Sequence, residues 1–184
     1  MILFIAAACI AAIWCGNRVV PALKDWSFWP LWIIEIAFWT AQVSAWCGFY
    51  AFVRWASVIQ SAFLLSLLFP ILRFRLYGGA CLGSLMVAAG TALNRWVMSA
   101  NEGRMPVLPT LSRLTRYYRD GSLEAAGDSV HMLMSGSTAL NLLGDWIDVG
   151  FSIMSVGDLL IHGFVFLVVF RGIIQWNRGY NCVQ

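Results

Sequence analysis

Five long apolar stretches constrain this chain more than any other feature of its sequence. A helix needs about 20 apolar residues to cross the hydrocarbon core of a bilayer. Only 11% of the residues are charged, against roughly 25% in a soluble domain, so little polar surface is left to face water. We therefore expect an all-α polytopic membrane helix bundle, a single domain over residues 1–184. About five transmembrane helices are expected: Met1–Val20, Trp29–Val53, Trp55–Leu72, Gly78–Ala100 and Phe151–Phe170.

The ends of these stretches carry the signals of a membrane interface. The chain is Trp-rich, with ten tryptophans, and tryptophan gathers where a helix leaves the bilayer. No charge precedes Arg18, whereas a signal peptide begins with basic residues. We therefore expect the first stretch to be an uncleaved span. Gly79 and Gly83 form a Gly-x-x-x-Gly pair, which favours close packing of helix backbones.

Basic residues in short segments predict the orientation, because they favour the cytoplasmic side. With five spans, one side holds Arg18, Lys24, Arg73, Arg75, Arg171 and Arg178. We expect a multi-pass cell-membrane protein with its N-terminus outside and its C-terminus in the cytoplasm. Residues 101–150 then form an extramembrane segment outside. The expected partners are the lipid bilayer and other membrane-protein subunits.

The segment between spans four and five differs in composition from the rest. Asn101–Leu111 contains Pro and Gly and is expected to be irregular. Ser122–Met134 is expected to form a short amphipathic helix, because its apolar residues recur at helical spacing and Ser122 suits an N-cap. Ser137–Leu143 is expected to form one more short helix, ended by Gly144.

Polar residues inside apolar spans are costly, so each one suggests function. Glu35 and Gln42 lie seven residues apart in span two, and Asp158 and His162 lie four apart in span five. These groups either satisfy one another in the bundle interior or mark a site. A histidine within a span can ligate a haem, but no second histidine stands at a matching depth. We assign no cofactor and no metal.

The densest polar cluster is Asn101–Val107, which follows span four directly. Asn101 and Gly103 suit tight or left-handed turns, and Arg104 offers a planar fork for a carboxylate or a phosphate. Two hypotheses stay open. Arg104 holds an anionic lipid or phosphate near the headgroups, or it pairs with an acidic residue and pins the loop. The candidate acidic partners are Asp145, Asp148 and Asp158.

Other classes of function lack their signatures. No basic stripe or recognition motif points to nucleic acid. The five cysteines form no Cys-x-x-Cys pair, so neither a zinc site nor a disulfide framework is expected. No nucleophile elbow, phosphate-binding loop or zinc-protease motif occurs, and no catalytic residue is assigned.

Three stretches together resemble an uncharacterised bacterial family of polytopic membrane proteins. The first contains Gly90-Thr91-Ala92-Leu93-Asn94 and Ala100-Asn101-Glu102-Gly103-Arg104-Met105-Pro106-Val107. The others are Leu142-Leu143-Gly144-Asp145-Trp146-Ile147 and Ser155-Val156-Gly157-Asp158-Leu159-Leu160-Ile161. The family hallmark is Asn-Gly-Gly-Arg-Met-Pro-Val, so Glu102 stands where a glycine is usual. The resemblance implies a bacterial inner-membrane protein and supplies no reaction.

A weaker similarity links the chain to lipoprotein signal peptidase, a four-span aspartic protease. Gly144-Asp145-Trp146-Ile147-Asp148 and then Ser155-Val156-Gly157-Asp158 have a similar rhythm near the last helix. Asp158 matches the second catalytic carboxylate. The first has no counterpart, because Val97 stands at its position. An aspartic dyad needs two carboxylates that share a proton, so Asp145 or Asp148 would have to supply it.

Three functions follow from these observations. The first is an accessory or structural subunit of a larger membrane complex. The second is a lipid- or anion-binding membrane protein that uses Arg104, with the ligand-binding candidates Asn101, Gly103, Arg104, Asp145 and Asp158. The third is an Asp-dependent membrane hydrolase that uses Asp158 and Asp145.

Overall fold

Helices dominate the structure, a computed structural model that describes residues 1–125 and 127–181. The α-helices are α1 (Ile2–Trp14), α2 (Val19–Leu23), α3 (Trp29–Trp46), α4 (Ala56–Ser66), α5 (Leu68–Phe74), α6 (Tyr77–Ser99), α7 (Leu111–Leu114), α8 (Ser122–Ala125) and α9 (Val156–Asn181). Short 3-10 helices cover Trp26–Phe28, Tyr50–Trp55 and Asn141–Leu143. The expectation of a mainly helical fold is confirmed.

Four short strands in the described part of the chain correct the all-α expectation. They are β1 (Met105–Val107), β2 (His131–Leu133), β3 (Ile147–Asp148) and β4 (Ile153–Met154). β1 pairs with β2 in parallel, and β3 pairs with β4 in an antiparallel hairpin. All four lie in the segment between α6 and α9. This segment was expected to contain loops and short helices.

Two predicted spans end early, each at a glycine. The first was expected to reach Val20, but α1 ends at Trp14 and Gly16 follows with a φ of 74°. The second was expected to reach Val53, but α3 ends at Trp46 and Gly48 has a φ of 87°. The N–H of Phe49 donates to Ser44 O over 2.8 Å. Left-handed glycine with such a backward hydrogen bond is a common way to end a helix.

Two helical stretches of the described residues are long and apolar enough to cross a membrane, judged by length and composition. They are Ala56–Phe74, with 19 residues, and Val156–Gly179, with 24. The first comprises α4 and α5 and agrees with predicted span three. The second begins five residues later than predicted span five and continues beyond it. Ile2–Trp14 is a shorter apolar helix. The count of five spans stays a prediction.

The amphipathic helix expected over Ser122–Met134 is wrong beyond its first turn. α8 stops at Ala125, and Ala126 lies outside the described residues. Gly127 then has a φ of 61°. The Asp128 carboxylate accepts the main-chain N–H groups of Val130 and His131 at 2.8 and 3.1 Å. This local bonding competes with helix formation and turns the chain into β2.

The helix expected over Ser137–Leu143 is limited to the 3-10 turn Asn141–Leu143. Thr138 explains the difference. Its hydroxyl accepts the Ser135 N–H at 3.0 Å and donates to Ser135 O at 2.8 Å. Side chains of this type often replace helical hydrogen bonds with local turns.

The chain forms two compact units. The first contains Met1–Trp39, Ser57–Val87 and His162–Gln184, and the second contains Thr40–Ala56 and Ala88–Ile161. The first unit has an apolar core from α1, α3, α4, α5 and α9. Its most buried large side chains include Ile5, Phe28, Leu31, Phe63, Leu67 and Ile173. The second unit holds all four strands and most of the predicted site residues.

Candidate functional site

Strand β1, within the Asn-Glu-Gly-Arg-Met-Pro-Val stretch, is the frame of the candidate site in the second unit. On one side it pairs with β2, which sets Met105 opposite His131. On the other side Val107 forms a bridge with Asp145. The Asp145 N–H donates to Pro106 O at 2.9 Å, and the Leu108 N–H donates to Asp145 O at 2.7 Å. The main chain thus holds His131 and Asp145 on either side of one strand.

Gly144 permits this close approach. A Cβ atom at this position would lie 2.8 Å from Pro106 O, closer than side-chain carbon atoms come to an oxygen. The Gly144-Asp145 pair therefore has a physical reason. The glycine lets the chain touch β1, and the next residue places its carboxyl group beside the strand.

His131 lies between two carboxyl groups. Its Nδ1 is 2.7 Å from Asp128 Oδ2, and its Nε2 is 3.6 Å from Asp145 Oδ2. Burial lowers the pKa of His131, but the hydrogen bond and charge of Asp128, with the charges of Asp145 and Asp158, raise it above its ordinary value overall. Burial raises the pKa of Asp128, but the hydrogen bonds that Asp128 forms with His131 and Val130 lower this pKa below its ordinary value. Asp128 thus orients the imidazole ring and stabilises its charged form.

Asp145 is the most perturbed acid of the site. It is 5% exposed, and its buried Oδ1 has no hydrogen-bond partner within the described part of the chain. Burial, followed by the negative charge of Asp158, raises the pKa of Asp145 to about 7, although His131 opposes this rise. A buried carboxyl without full hydrogen bonding favours its neutral form. Asp145 is therefore half protonated near neutral pH.

Asp158 belongs to a hydrogen-bond network at the start of α9. Its Oδ1 accepts Asn94 Nδ2 at 2.9 Å, and its Oδ2 accepts the Ser155 N–H at 3.1 Å. The Ser155 hydroxyl accepts the Asp158 N–H and donates to Asn94 Oδ1, both at 2.9 Å. Ser155 and Asp158 thus form a capping box, and Asn94 of α6 completes it.

Two glycines bring α6 and α9 together at this network. A Cβ atom at Gly157 would lie 2.6 Å from Gly90 O and would overlap Asn94 Oδ1. A Cβ atom at Gly90 would in turn overlap Gly157 O. Both helices therefore need glycine here. The spacing of Gly90 and Asn94, one helical turn apart, matches that of neighbours on one face.

Asn101 joins the end of α6 to the main chain of Ala139. Its Nδ2 donates to Val97 O and Ala139 O at 2.8 and 2.9 Å, and its Oδ1 accepts the Ala139 N–H at 2.8 Å. Glu102 and Gly103 follow with φ values of 55° and 81°. This is the left-handed turn expected for Gly103. Glu102 adopts the same backbone region, which non-glycine residues rarely enter.

Among the described residues, Arg104 does not pair with any of the three aspartates expected as its partners. Its ion pair is with Glu102, over 3.4 Å, and the side chains of Arg104 and Glu102 are 42% and 85% exposed. Asp148 accepts hydrogen bonds from the main-chain N–H groups of Thr110 and Ser112 at 2.7 and 2.9 Å. Partial burial raises the pKa of Asp148, but these bonds and that of Gly150 lower it below its ordinary value. Asp148 therefore anchors the loop that leads into α7.

The polar residues of span two have separate partners. Glu35 accepts the indole N–H of Trp39 at 3.1 Å in the first unit. In the second unit Gln42 donates to Phe151 O and accepts the Tyr117 hydroxyl, both over 3.0 Å. Burial raises the pKa of Tyr117. Gln42 thus joins the end of α3 to the segment between α6 and α9.

The sequence did not reveal Asp128 and His131 as site residues. Both residues were assigned to the helix expected over Ser122–Met134, with which their three-residue spacing is compatible. The signal that could have found them is Gly127-Asp128, a pair that favours a turn over a helix. Among the described residues no group of three or more His, Cys, Asp or Glu side chains has the arrangement of a metal site.

Comparison with known protein families places this arrangement in a family. A model described as "Family of unknown function (DUF5317)" matches residues 20–170. The match covers most of the chain, including α6, β1 and the start of α9, so the chain belongs to this family. No curated protein and no solved structure matches the chain.

Proposed function

We propose that this member of the DUF5317 family is a multi-pass membrane protein with an Asp-dependent acid–base site suited to hydrolysis. The observation that carries the proposal is the buried Asp145 carboxyl, one oxygen of which has no hydrogen bond to any residue that the structure describes. It lies beside His131 and within reach of the charge of Asp158. The reaction would take place at the membrane surface.

Exposed apolar surface supports the membrane part of this proposal. Only 28% of an apolar 18-residue window within Ala56–Phe74, and 44% of one within Val156–Gly179, is buried. The core helix of a soluble protein buries its apolar residues, whereas a lipid-facing helix leaves them exposed. Exposed large apolar side chains also line α1 and α3, among them Trp14, Trp29, Ile33 and Ile36. We therefore keep the five-span arrangement as part of the proposal.

Contacts within the first unit support the proposed orientation. Asn177 bonds the main chain of Arg18 in both directions, over 3.0 and 3.2 Å. Arg73 pairs with Asp25 over 3.8 Å. These contacts gather basic segments that are far apart in sequence, which a common cytoplasmic side requires. The acid–base site, in the segment between α6 and α9 and the first turn of α9, would then lie at the outer side.

The chemistry follows from the different surroundings of the two carboxyl groups. Asp145 can carry a proton near neutral pH, so it can act as the general acid. Asp158 accepts hydrogen bonds from Asn94 and Ser155 and can act as the general base. As Asp158 takes a proton from water, the water oxygen bonds to the substrate carbonyl carbon, and Asp145 protonates the leaving group as its bond breaks. The positive charge of protonated His131 would offset the negative charge of the two carboxylates.

Hydrolysis assays test the reaction directly. The full chain is reconstituted in vesicles that carry either a fluorogenic acyl ester or a fluorescence-quenched peptide. We expect hydrolysis of one of them, at a rate that falls as the pH rises through about 7 because Asp145 loses its proton. Asp145→Asn and Asp158→Asn should each reduce the rate by roughly 100-fold or more, as loss of an acid or base does.

The matched control is Asp120→Asn, since Asp120 is 83% exposed and pairs with Arg113. It should hydrolyse at the wild-type rate. Infrared difference spectra test the acid independently of any substrate. A carboxylic-acid band should titrate near pH 7 in the wild type and vanish in Asp145→Asn. Equal rates in all variants, or no such band, would overturn the proposal.

Exposed leucines favour a second candidate function, that of an accessory subunit. Leu114 and Leu142 are 80% and 81% exposed, in a segment that lies outside the proposed spans. Such side chains are typical of a contact surface. The protein would then copurify with other chains at a fixed ratio in mild detergent. Purification as a lone, stable monomer would contradict this role. The anion-binding role of Arg104 has less support, because its guanidinium group faces Glu102.

A further inference from the structure

A basic cavity of about 500 Å³ lies in the first unit, and none of its lining residues belongs to the acid–base site. Three arginines line it: Arg75 at the end of α5, and Arg171 and Arg178 in α9. Its apolar walls include Phe74 and Phe170. A cavity of this size is large enough for a small ligand or a lipid headgroup.

Among the residues that the structure describes, the three guanidinium groups have no acidic partner. No Asp or Glu lines the cavity, and in the described ranges none of these three arginines forms an ion pair. The nearby acid Asp25 is paired with Arg73 instead. Like charges that converge on one space repel one another. An anion in the cavity would remove that repulsion.

The start of α6 adds main-chain donors to the same cavity. Gly78 and Gly79, which line it, belong to the first turn of this 23-residue helix. The Ala80 N–H donates to Leu76 O at 2.8 Å, whereas the N–H groups of Tyr77, Gly78 and Gly79 have no acceptor in the described part of the chain. The first N–H groups of a helix and its positive end favour a bound anion.

We propose that this cavity binds a phosphate group, supplied by an anionic phospholipid headgroup or by soluble phosphate. Arginine forks match phosphate oxygens in pairs, and the glycines leave the helix N–H groups open to approach. The cavity lies where Ala56–Phe74 ends and near the end of Val156–Gly179. Both apolar stretches would reach the headgroup layer there. The proposal is independent of the acid–base site.

Lipid and phosphate binding can be measured separately on the full-length protein. Native mass spectrometry after exchange into phosphatidylglycerol or phosphatidylcholine compares an anionic with a neutral phospholipid. Thermal shift with inorganic phosphate, against chloride at equal ionic strength, detects the soluble ligand. We expect Arg171→Gln and Arg178→Gln each to weaken binding roughly tenfold, as loss of a charge-assisted hydrogen bond does.

Two further variants keep the test clear. Arg75→Gly removes the third charge without strain, because Arg75 has a φ of 54°, a conformation that glycine adopts readily. Arg113→Gln is the control, since this arginine lies outside the cavity and pairs with Asp120. Selective retention of phosphatidylglycerol would identify the headgroup, and stabilisation by inorganic phosphate alone would identify the soluble ligand. Absence of both, or equal binding by all variants, would overturn the proposal.

Discussion

The titration of Asp145 predicts how the stability of this protein depends on pH. Its pKa is about 7 in the folded protein and 3.8 ordinarily, so the folded state binds this proton more tightly than the unfolded chain does. Stability from this group is therefore fully present below about pH 4, is lost as the pH rises to about 7, and stays lost above it. Asp145→Asn removes the titrating group, so the variant should not lose this stability as the pH rises.

The size of the effect follows from the pKa change. A pKa change of one unit corresponds to about 1.4 kcal/mol. The rise of the Asp145 pKa from 3.8 to about 7 thus lowers the free energy of unfolding above neutral pH by about 4 kcal/mol at most. Loss of the attraction between Asp145 and charged His131, at 3.6 Å, offsets part of the gain. We expect Asp145→Asn to be more stable than the wild type by roughly 1–4 kcal/mol above neutral pH.

Thermal unfolding in detergent, followed by the fluorescence of the ten tryptophans, measures this difference. The midpoints of variant and wild type should agree near pH 4 and separate as the pH rises to about 7. For a chain of this length the separation should reach roughly 3 °C per kcal/mol. Asp120→Asn, which changes an exposed acid, should follow the wild-type curve at every pH. If the midpoints of Asp145→Asn and wild type differ by the same amount at all pH values, the reasoning is refuted.

Three further substitutions test the backbone of the site by the same unfolding midpoint. Gly157→Ala should cost about 2 kcal/mol or more, because its Cβ would meet Gly90 O at 2.6 Å; Gly179→Ala, with open space around it, should be neutral or slightly stabilising. Asn101→Ala should cost about 2–4 kcal/mol through three lost hydrogen bonds. Glu102→Gly should gain about 1 kcal/mol, since a φ of 55° is strained for glutamate. A change of opposite sign in any of them would contradict its argument.

The sequence predicted the bounds of a helix well where no glycine of the apolar run adopts a positive φ. Span four was expected over Gly78–Ala100, and α6 covers Tyr77–Ser99, because its small residues are compatible with a continuous helix. The ends of α1 and α3 were predicted too far along the chain. Hydrophobicity continues past Gly16 and Gly48, whereas the main chain turns there with positive φ. The apolar pattern alone does not show where the main chain turns, whereas a glycine near a helix end indicates this position.

The small strands and His131 could not be predicted from periodicity. β1 and β2 have three residues each and pair in parallel across 26 positions of sequence, as Met105 and His131 show. A strand this short leaves no alternating pattern to detect. The Asp-x-x-His spacing of 128–131 was visible but fitted a helix equally well. Only the pairing with β1 brings His131 to Asp145.

Two Gly-Asp dipeptides, Gly144-Asp145 and Gly157-Asp158, link the fold to the proposed chemistry. In both of them the glycine lets its chain approach a neighbouring backbone, at Pro106 O for Gly144 and at Gly90 O for Gly157. The aspartate that follows is thereby fixed by the main chain rather than by a flexible loop. Catalytic groups must be held to within a fraction of an ångström, on rigid elements. The same close packing excludes water from Asp145, which is the cause of its raised pKa. Enlarging either glycine should therefore disturb the protonation of Asp145 as well as stability, and the infrared titration of the Gly144→Ala protein would detect this as a band that moves toward lower pH.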